Sequence, residues 1–177
     1  MSTGETFITR LKSQLGDAIT GSNLTAIDPW IEVAPAKIVE VCTYLRDQAD
    51  LRFDFLSCIT AVDYLETDPK KAAKIDWQPH LELIYHLYST VHKRSIVVKV
   101  MLPRWKNDTP GEMPCIDTVS NVWRTADWHE REVYDLSGVY FNDHPDFRRI
   151  LCPEDWEGYP LRKDYEMPLE YHGIRGR

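Results

Sequence analysis

The stretch HLELIYHLYSTVHKRSIVVKVML, residues 80–102, decides the fold class. Within residues 80–89, apolar side chains alternate with more polar ones, which is the pattern of a strand with one buried face. Residues 94–102 form a second and strongly apolar run. Only residues 90–93 separate the two runs, so the pattern predicts an antiparallel hairpin.

Elements upstream complete the predicted fold. Residues 53–65 are rich in aromatic and β-branched side chains and predict another strand, and residues 30–33 predict a short one. Apolar residues at helical spacing predict helices over residues 4–19 and 35–49, whereas the charged stretch 66–78 predicts a loop. We therefore expect an α+β two-layer sandwich, with a mixed or antiparallel sheet and helices on one face.

Two more helices are predicted downstream. Residues 116–123 have apolar side chains at helical spacing, and residues 128–136, WHEREVYDL, predict a second helix. Asp127 and Glu130 stand three residues apart, as in a capping box, so we expect them to begin this last helix. Gly138 stands where the helix would end.

The charges of the last helix oppose its dipole. Arg131 lies near the N-terminus and Asp135 near the C-terminus, where each sign is disfavoured by about 0.3–1 kcal/mol. A solvated face with an Arg131–Asp135 pair is one interpretation. We favour the other, in which both charges have specific ion-pair partners.

Residues 142–177 differ from the rest of the chain. Prolines interrupt them every seven or eight residues, and no helical or alternating period is long enough to define an element. The segment nevertheless contains five of the chain's twenty aromatic residues, interleaved with arginines, a composition typical of protein interfaces. We therefore divide the chain into a globular domain, 1–141, and an extended C-terminal arm, 142–177, that packs on a partner subunit. An arm folded back on its own domain is the alternative.

Composition excludes several classes of protein. A chain of 177 residues can bury a core, and its net charge of −7 argues against binding nucleic acid by neutralising phosphates. No apolar run is long enough to span a bilayer, and the N-terminus lacks the apolar region of an export signal. The four cysteines lie far apart without a CxxC pair, so we expect free thiols in a reducing cytosol.

Two interpretations without a partner subunit remain open at this point. Glu130, Asp135, His144, Asp146 and Glu154 are candidates for a carboxylate-based or metal-dependent active site. Such a site needs a cleft and a fixed separation between the carboxylates, which the sequence does not specify. A free-standing binding module is the other interpretation.

Residues 127–168 read DWHEREVYDLSGVYFNDHPDFRRILCPEDWEGYPLRKDYEMP. They contain three blocks in order, ERE-x-YD-x-x-G, F-x-x-HP-x-x-RRIL and G-x-PLRKDY. Together these blocks resemble the signature of the C subunit of the proton-pumping NADH–quinone oxidoreductase, respiratory complex I, in its stand-alone bacterial form. Two positions depart from the pattern, since Tyr159 stands where histidine is frequent and Ser137 where a larger apolar residue is common.

The resemblance implies a non-catalytic scaffold in the peripheral arm of the complex, on the cytoplasmic side of the bacterial inner membrane. It implies that this chain holds no flavin, iron–sulfur cluster or quinone site, and that partner subunits hold the flavin and the clusters. The expected partners are the D subunit, over which the C-terminal arm extends, the B subunit and other peripheral-arm subunits. Contact with the membrane is expected only through the complex. The equivalent subunit of a membrane-bound hydrogenase, or of a ferredoxin-fed relative, is the alternative.

The resemblance also selects residues, to which it gives structural and interface roles and no catalytic, cofactor-binding or metal-binding role. They are Glu130, Arg131, Glu132, Tyr134, Asp135, His144, Pro145, Arg148, Arg149, Leu161, Arg162, Lys163 and Asp164. Trp156, an aromatic residue of the C-terminal arm, is expected to fill a pocket on the partner.

Overall fold

The computed structural model describes residues 3–176, with side chains described from residue 9 onward. Its helices and strands are, in chain order, α1 (Thr3–Leu15), β1 (Ile19–Asn23), β2 (Trp30–Val33), α2 (Ile38–Asp47), β3 (Phe55–Tyr64), α3 (Pro69–Ala72), β4 (His80–Ser89), β5 (Arg94–Leu102), β6 (Cys115–Asp117), α4 (Ala126–Ser137), β7 (Tyr140–Asn142), β8 (Glu170–Tyr171) and β9 (Ile174–Arg175). No helix in this part of the chain is long and apolar enough to cross a membrane.

The predicted hairpin lies inside the main sheet. β4 and β5 have the bounds that the sequence pattern predicted, and they pair antiparallel from Leu81 opposite Leu102 to Ser89 opposite Arg94. The Lys93 N–H donates to the Ser89 carbonyl across 2.8 Å and closes the turn. The antiparallel hairpin predicted from the short link between the two runs is therefore confirmed.

The sheet has five strands in the order β1-β2-β5-β4-β3 and is mixed. β3 pairs antiparallel with β4, and β1 pairs antiparallel with β2, whereas β2 runs parallel to β5. β1 and β3 are therefore the edge strands. This architecture confirms the predicted α+β class with a mixed sheet.

One face of the sheet and the helices enclose the core. The core side chains of β4 are Leu81, Leu83, Tyr85 and Leu87, and those of the helices are Leu11, Leu15, Ile38, Val41, Cys42, Leu45, Ala126 and Val133. Each fully buried aliphatic or aromatic side chain contributes about 1.5–3 kcal/mol to folding. The apolar residues whose helical spacing predicted α2 therefore face the core, as expected.

The predicted N-terminal helix is shorter than expected. α1 ends at Leu15, because Gly16 adopts a positive φ of 53° that stops the helix. Phe7 and Ile8 belong to the apolar spacing that predicts this helix, and their side chains lie outside the described residues.

The helix predicted over residues 116–123 is wrong. Residues 115–117 form β6, which runs parallel to β7, and turns follow as far as α4. The Thr118 N–H donates to the Asn142 carbonyl at 3.0 Å, and the Val119 N–H donates to the buried Glu130 carboxylate at 2.8 Å. These long-range bonds override the local helical period. The predicted loop 66–78 also contains the short helix α3.

The predicted start of the last helix is also wrong, whereas its end is confirmed. α4 begins at Ala126, its N-cap residue is Thr125, and no side chain caps it. Asp127 lies inside the helix and forms an ion pair with Arg131 at 3.0 Å instead of capping it. Gly138 ends the helix in the left-handed conformation, with φ of 69°.

The predicted boundary at residue 142 falls inside β7, whose residues Tyr140–Asn142 pair with β6. Residues 149–165 then return to α4 and to the end of β5 through hydrogen bonds described below. This part of the predicted arm therefore contacts the chain's own domain. Packing of residues 142–177 on a partner stays a prediction.

Tyr85 provides a test of the core. Its hydroxyl is buried and has no hydrogen-bond partner within residues 9–176. Because an unsatisfied buried hydroxyl is unfavourable, Tyr85→Phe should raise the free energy of unfolding by about 1 kcal/mol, measured by urea denaturation. Leu83→Ala, in the same strand, should lower it by about 2–5 kcal/mol. A loss of stability in Tyr85→Phe would contradict the prediction.

Candidate functional site

Helix α4 turns three charged side chains inward. Glu130 and Asp135 are 0% exposed and Arg131 is 2% exposed, on the side that faces the domain. Charges removed from water are strongly unfavourable unless hydrogen bonds or ion pairs compensate them. The partners of these side chains therefore determine how the rest of the chain is arranged around α4.

Asp135 organises the segment that follows β7. Its Oδ1 accepts a hydrogen bond from Arg149 Nη1 at 2.8 Å. Its Oδ2 accepts from three consecutive backbone N–H groups, those of Ile150 (2.9 Å), Leu151 (2.6 Å) and Cys152 (2.9 Å). Burial alone would raise the pKa of Asp135, but these hydrogen bonds outweigh it and lower the pKa. The carboxylate thus fixes a turn of the C-terminal segment.

Arg162 caps the end of α4 from outside the helix. Its guanidinium donates to the carbonyls of Ser137 (2.5 Å), Gly138 (3.1 Å) and Arg104 (2.8 Å). The carbonyls at a helix C-terminus lack intrahelical donors and carry the negative end of the dipole, so a cation stabilises them. Burial lowers the pKa of Arg162 to about 10, and the side chain stays charged at neutral pH.

Two residues that the sequence did not suggest complete this arrangement. Arg104 follows β5 and bridges Asp63 of β3, at 2.6 Å, to Asp164 of the C-terminal segment, at 2.7 Å. The Lys163 N–H donates to Asp63 Oδ2 at 2.9 Å. No local pattern marks Arg104 or Asp63, because their contacts cross 41 to 100 residues. We call Asp63, Arg104, Asp135, Arg149 and Arg162 the clamp.

Arg131 has partners on both sides. It forms ion pairs with Asp127 at 3.0 Å and Asp146 at 2.9 Å, and its guanidinium lies 4.0 Å from the Trp128 ring centroid. The interpretation with an Arg131–Asp135 pair on a solvated face is therefore wrong. The prediction that each charge has a specific ion-pair partner is confirmed. His144 Nε2 lies 3.0 Å from the Asp127 carbonyl.

Glu130 lies in the interior of the domain. It accepts hydrogen bonds from the Thr118 hydroxyl and, at 2.8 Å, from the Val119 N–H. Burial raises the pKa of Glu130 to about 7, because the two hydrogen bonds only partly offset the loss of water. Burial, and to a lesser extent the nearby Glu130 carboxylate, raises the pKa of the Tyr85 hydroxyl and of the Cys42 thiol. Glu130 thus holds the turn before α4 in place.

The other residues selected by the resemblance lie outside this buried network. Tyr134 packs on Phe147, with ring centroids 4.2 Å apart, and Arg148 pairs with Asp146 at 3.0 Å on the surface. Exposed positions are occupied by Glu132, Pro145, Leu161 and the side chain of Lys163. Glu132 and Leu161 line one small groove beside β3.

Tyr159, a departure from the family pattern, lies over Gly138. A Cβ at Gly138 would lie 2.5 Å from the Tyr159 ring, so glycine permits this close approach. The Tyr159 hydroxyl donates to Met113 Sδ at 3.0 Å. Trp156 is half-buried against Tyr171, with ring centroids 5.1 Å apart.

The two buried carboxylates of α4, those of Glu130 and Asp135, are shielded from solvent and already have hydrogen-bond donors. Within residues 9–176, no group of three His, Cys, Asp or Glu side chains is placed to hold a metal ion. What the arrangement achieves is the immobilisation of a C-terminal segment on α4 and the sheet.

Fold and site thus define an α+β domain whose last helix holds an irregular C-terminal segment through buried charges. Residues 31–171 match the family described as respiratory-chain NADH dehydrogenase, 30 kDa subunit. The chain belongs to this family.

Curated relatives agree with the family. Proteins named as the C subunit of NADH-quinone oxidoreductase, from Chlorobium phaeobacteroides and Roseiflexus sp., are 37% and 38% identical to this chain. Each alignment covers 93% of this chain, and they cover 90% and 85% of those proteins. A third, from Chloroherpeton thalassium, is 37% identical, and the chain spans 62% of its length.

Two solved structures share the fold. A trypsin-resistant fragment of Nqo5 aligns with a TM-score of 0.60 and 26% identity, covering 80% of this chain and 97% of the fragment. A chain of an archaeal respiratory membrane complex, the membrane-bound sulfane sulfur reductase, aligns with a TM-score of 0.70 and 25% identity, covering 94% and 87%. The curated relatives favour the NADH–quinone oxidoreductase assignment over the hydrogenase alternative.

Asp135 provides a test of the clamp. Asp135→Asn leaves the Arg149 guanidinium without its anion, so the free energy of unfolding should fall by about 3–5 kcal/mol at pH 7. Because the pKa of Asp135 is lowered in the native state, this stabilisation is present above the ordinary aspartate pKa of about 4 and is lost as the pH falls below that value. The free energies of unfolding of the wild type and Asp135→Asn, measured by denaturant unfolding from pH 2 to 7, should therefore converge in acid. Asp50→Asn, which breaks an exposed arginine pair, is the control and should cost about 1 kcal/mol or less. Equal losses in the two variants would contradict the prediction.

Glu130 predicts a pH dependence of the opposite sign. Its raised pKa means that the protonated form is favoured in the native state, so its contribution to stability is present in acid and is lost as pH rises through about 7. From pH 5 to 8, the wild type should lose about 1–3 kcal/mol relative to Glu130→Gln. Glu132→Gln, an exposed change in the same helix, should follow the wild-type profile. If the free energies of unfolding of the wild type and Glu130→Gln differed by a constant amount from pH 5 to 8, Glu130 would not be the source of this pH dependence.

Proposed function

We propose that the chain is a non-catalytic scaffold in the peripheral arm of an NADH–quinone oxidoreductase. Its family makes it a component of such a complex. The proposal adds that the chain has no active site of its own and supports electron transfer from NADH to quinone, coupled to proton translocation, by holding its neighbours. The clamp is the observation that supports this role, because its buried charges fix a surface and open no reactive cleft.

Exposed apolar side chains on the clamped segment support a protein partner. Leu151 and Leu161 are 62% and 60% exposed, although the backbone that carries them is fixed by Asp135 and Arg162. Apolar side chains held rigidly at the surface lose little conformational entropy when they are covered. We therefore expect this segment to contact the D subunit, with the B subunit and other peripheral-arm subunits nearby.

The distribution of thiols is compatible with cofactors held elsewhere. Cys42 is buried in the core and Cys115 is exposed, while Cys58 and Cys152 are partly buried, and all four are free. Iron–sulfur clusters need cysteines that converge on one site. We propose that the flavin and the clusters belong to partner subunits, and that the chain lies on the cytoplasmic side of the bacterial inner membrane and reaches it only through the complex.

Affinity purification tests this function. An affinity tag on the chain in its native host should co-purify subunits that contain flavin and iron–sulfur clusters, whereas the chain purified alone should neither bind flavin nor oxidise NADH. Co-purification of hydrogenase subunits instead, or turnover by the single chain, would overturn the proposal.

Variants of the clamp link this function to the geometry. Arg162→Ala removes the cap of α4 and should lower the co-purified yield by about tenfold or more, which corresponds to the loss of at least one charge-assisted hydrogen bond. Arg124→Ala, at an exposed position, is the control and should leave the yield unchanged. Amide exchange in β4 and β5 should retain its protection in both variants, which separates a loosened segment from an unfolded domain. Wild-type yield in Arg162→Ala would argue against the clamp as the feature that supports assembly.

A further inference from the structure

A pocket of about 280 Å³ lies between residues 155–157 and the hairpin formed by β8 and β9. Its lining includes Asp155, Trp156, Glu157, Glu170, Tyr171 and His172, and we call it the acidic pocket. Pockets for drug-sized ligands range from about 300 to 1,000 Å³. The acidic pocket therefore suits a single long side chain better than a cofactor.

The walls of the acidic pocket are tied together. The hairpin turns at His172 and Gly173, whose φ values of 52° and 77° are those of a type I′ turn. The Tyr171 hydroxyl donates to Asp155 Oδ1 at 2.8 Å, and His172 Nε2 lies 2.7 Å from Asp155 Oδ2. Trp156 packs on Tyr171. An isolated hairpin is only marginally stable, so these contacts hold the pocket in shape.

The acidic pocket has the chemistry of a cation receptor. The lining contains three carboxylates, those of Asp155, Glu157 and Glu170, against a single imidazole, together with the aromatic rings of Trp156 and Tyr171. Hydrogen bonds from Tyr171 and His172 lower the pKa of Asp155, so it is ionised at neutral pH. Aromatic faces attract cations, and nearby carboxylates add to this attraction.

One observation favours a protein-borne cation over a free metal ion. No three potential ligands within residues 9–176 are placed to hold a metal, the lining of this pocket included. The Trp156 indole N–H is shielded from solvent and does not itself face an incoming ligand.

The surroundings of the acidic pocket also suit a protein. Met167, Leu169 and Ile174 are 68%, 79% and 74% exposed, and they belong to the same short stretch as the hairpin. A partner that places a basic side chain in the pocket would cover these apolar side chains as well. The combination of a charged anchor and apolar surroundings is typical of energetically important interface sites.

We propose that the acidic pocket receives an arginine or lysine side chain from a neighbouring subunit. The inference rests on the proposed scaffold function and specifies the chemistry of one contact. It also reverses the role expected for Trp156, whose indole forms the wall of a receptor on this chain and does not fill a pocket on the partner.

A probe titration on the full-length chain tests the pocket itself. The probes are N-acetyl-arginine methylamide and the neutral, isosteric N-acetyl-citrulline methylamide, and the readout is the Trp156 indole N–H resonance, assigned by its loss in Trp156→Phe. The arginine probe should bind about threefold to tenfold more tightly than the citrulline probe. The double variant Glu157→Gln/Glu170→Gln should reduce this preference, because Asp155 is then the remaining carboxylate of the lining. Glu154→Gln, an exposed change just outside the lining, should retain the full preference. Equal affinity of the wild type for the two probes, or a preference that is unchanged in the double variant, would overturn the proposal.

The assembled complex tests whether a neighbouring subunit uses the pocket. With a tagged chain, the double variant should release its partners at lower salt than the wild type and Glu154→Gln do. An unchanged salt profile in the double variant, with partners still co-purified, would reject the pocket and leave the scaffold function intact. Failure of the wild-type chain to co-purify any other protein of the complex would reject both.

Discussion

The carboxylate of Asp135 is the constraint on which the rest of the site depends. It lies at the C-terminal end of α4, fully removed from solvent, where both burial and the helix dipole disfavour an anion. Arg149 and three consecutive backbone N–H groups compensate this charge. Because those donors come from one irregular segment, satisfying a single helical side chain fixes the course of the chain after β7.

Arg162 and Arg104 extend this constraint to the sheet. Arg162 binds the carbonyls at the end of α4, and Arg104 joins Asp63 at the end of β3 to Asp164. Removing one partner of a buried ion pair is strongly unfavourable, so sheet, helix and segment resist separation. A protein whose proposed role is to hold redox partners at fixed distances benefits from such rigidity. Glu130, Asp135 and Asp146, which also suggested a carboxylate-based site, have hydrogen-bond or ion-pair partners within the domain.

The sequence predicted elements with long, regular periods and failed where tertiary contacts compete with local ones. β4 alternates over ten residues and β5 is an apolar run of nine, so the bounds of both strands and their antiparallel pairing were predicted correctly. The helix expected over residues 116–123 is absent because the Val119 N–H donates to the Glu130 carboxylate and not to a backbone carbonyl one helical turn earlier. Asp127 does not cap α4 because the helix already begins at Ala126, so the Asp127 carboxylate lies in the first turn and pairs with Arg131 of the same helix.

By itself, the sequence determined the α+β class, the central hairpin, the end of α4 at Gly138, and that the charges of WHEREVYDL need specific partners. Periodicity, left-handed glycine and misplaced charges are local properties, and they can be read without coordinates. Only the tertiary structure decided which partners these charges have, that residues 149–165 fold back on the domain, and that Trp156 lines an acidic pocket. Those outcomes depend on residues such as Asp63 and Lys163, which are 100 positions apart in the chain and meet only when the sheet is complete.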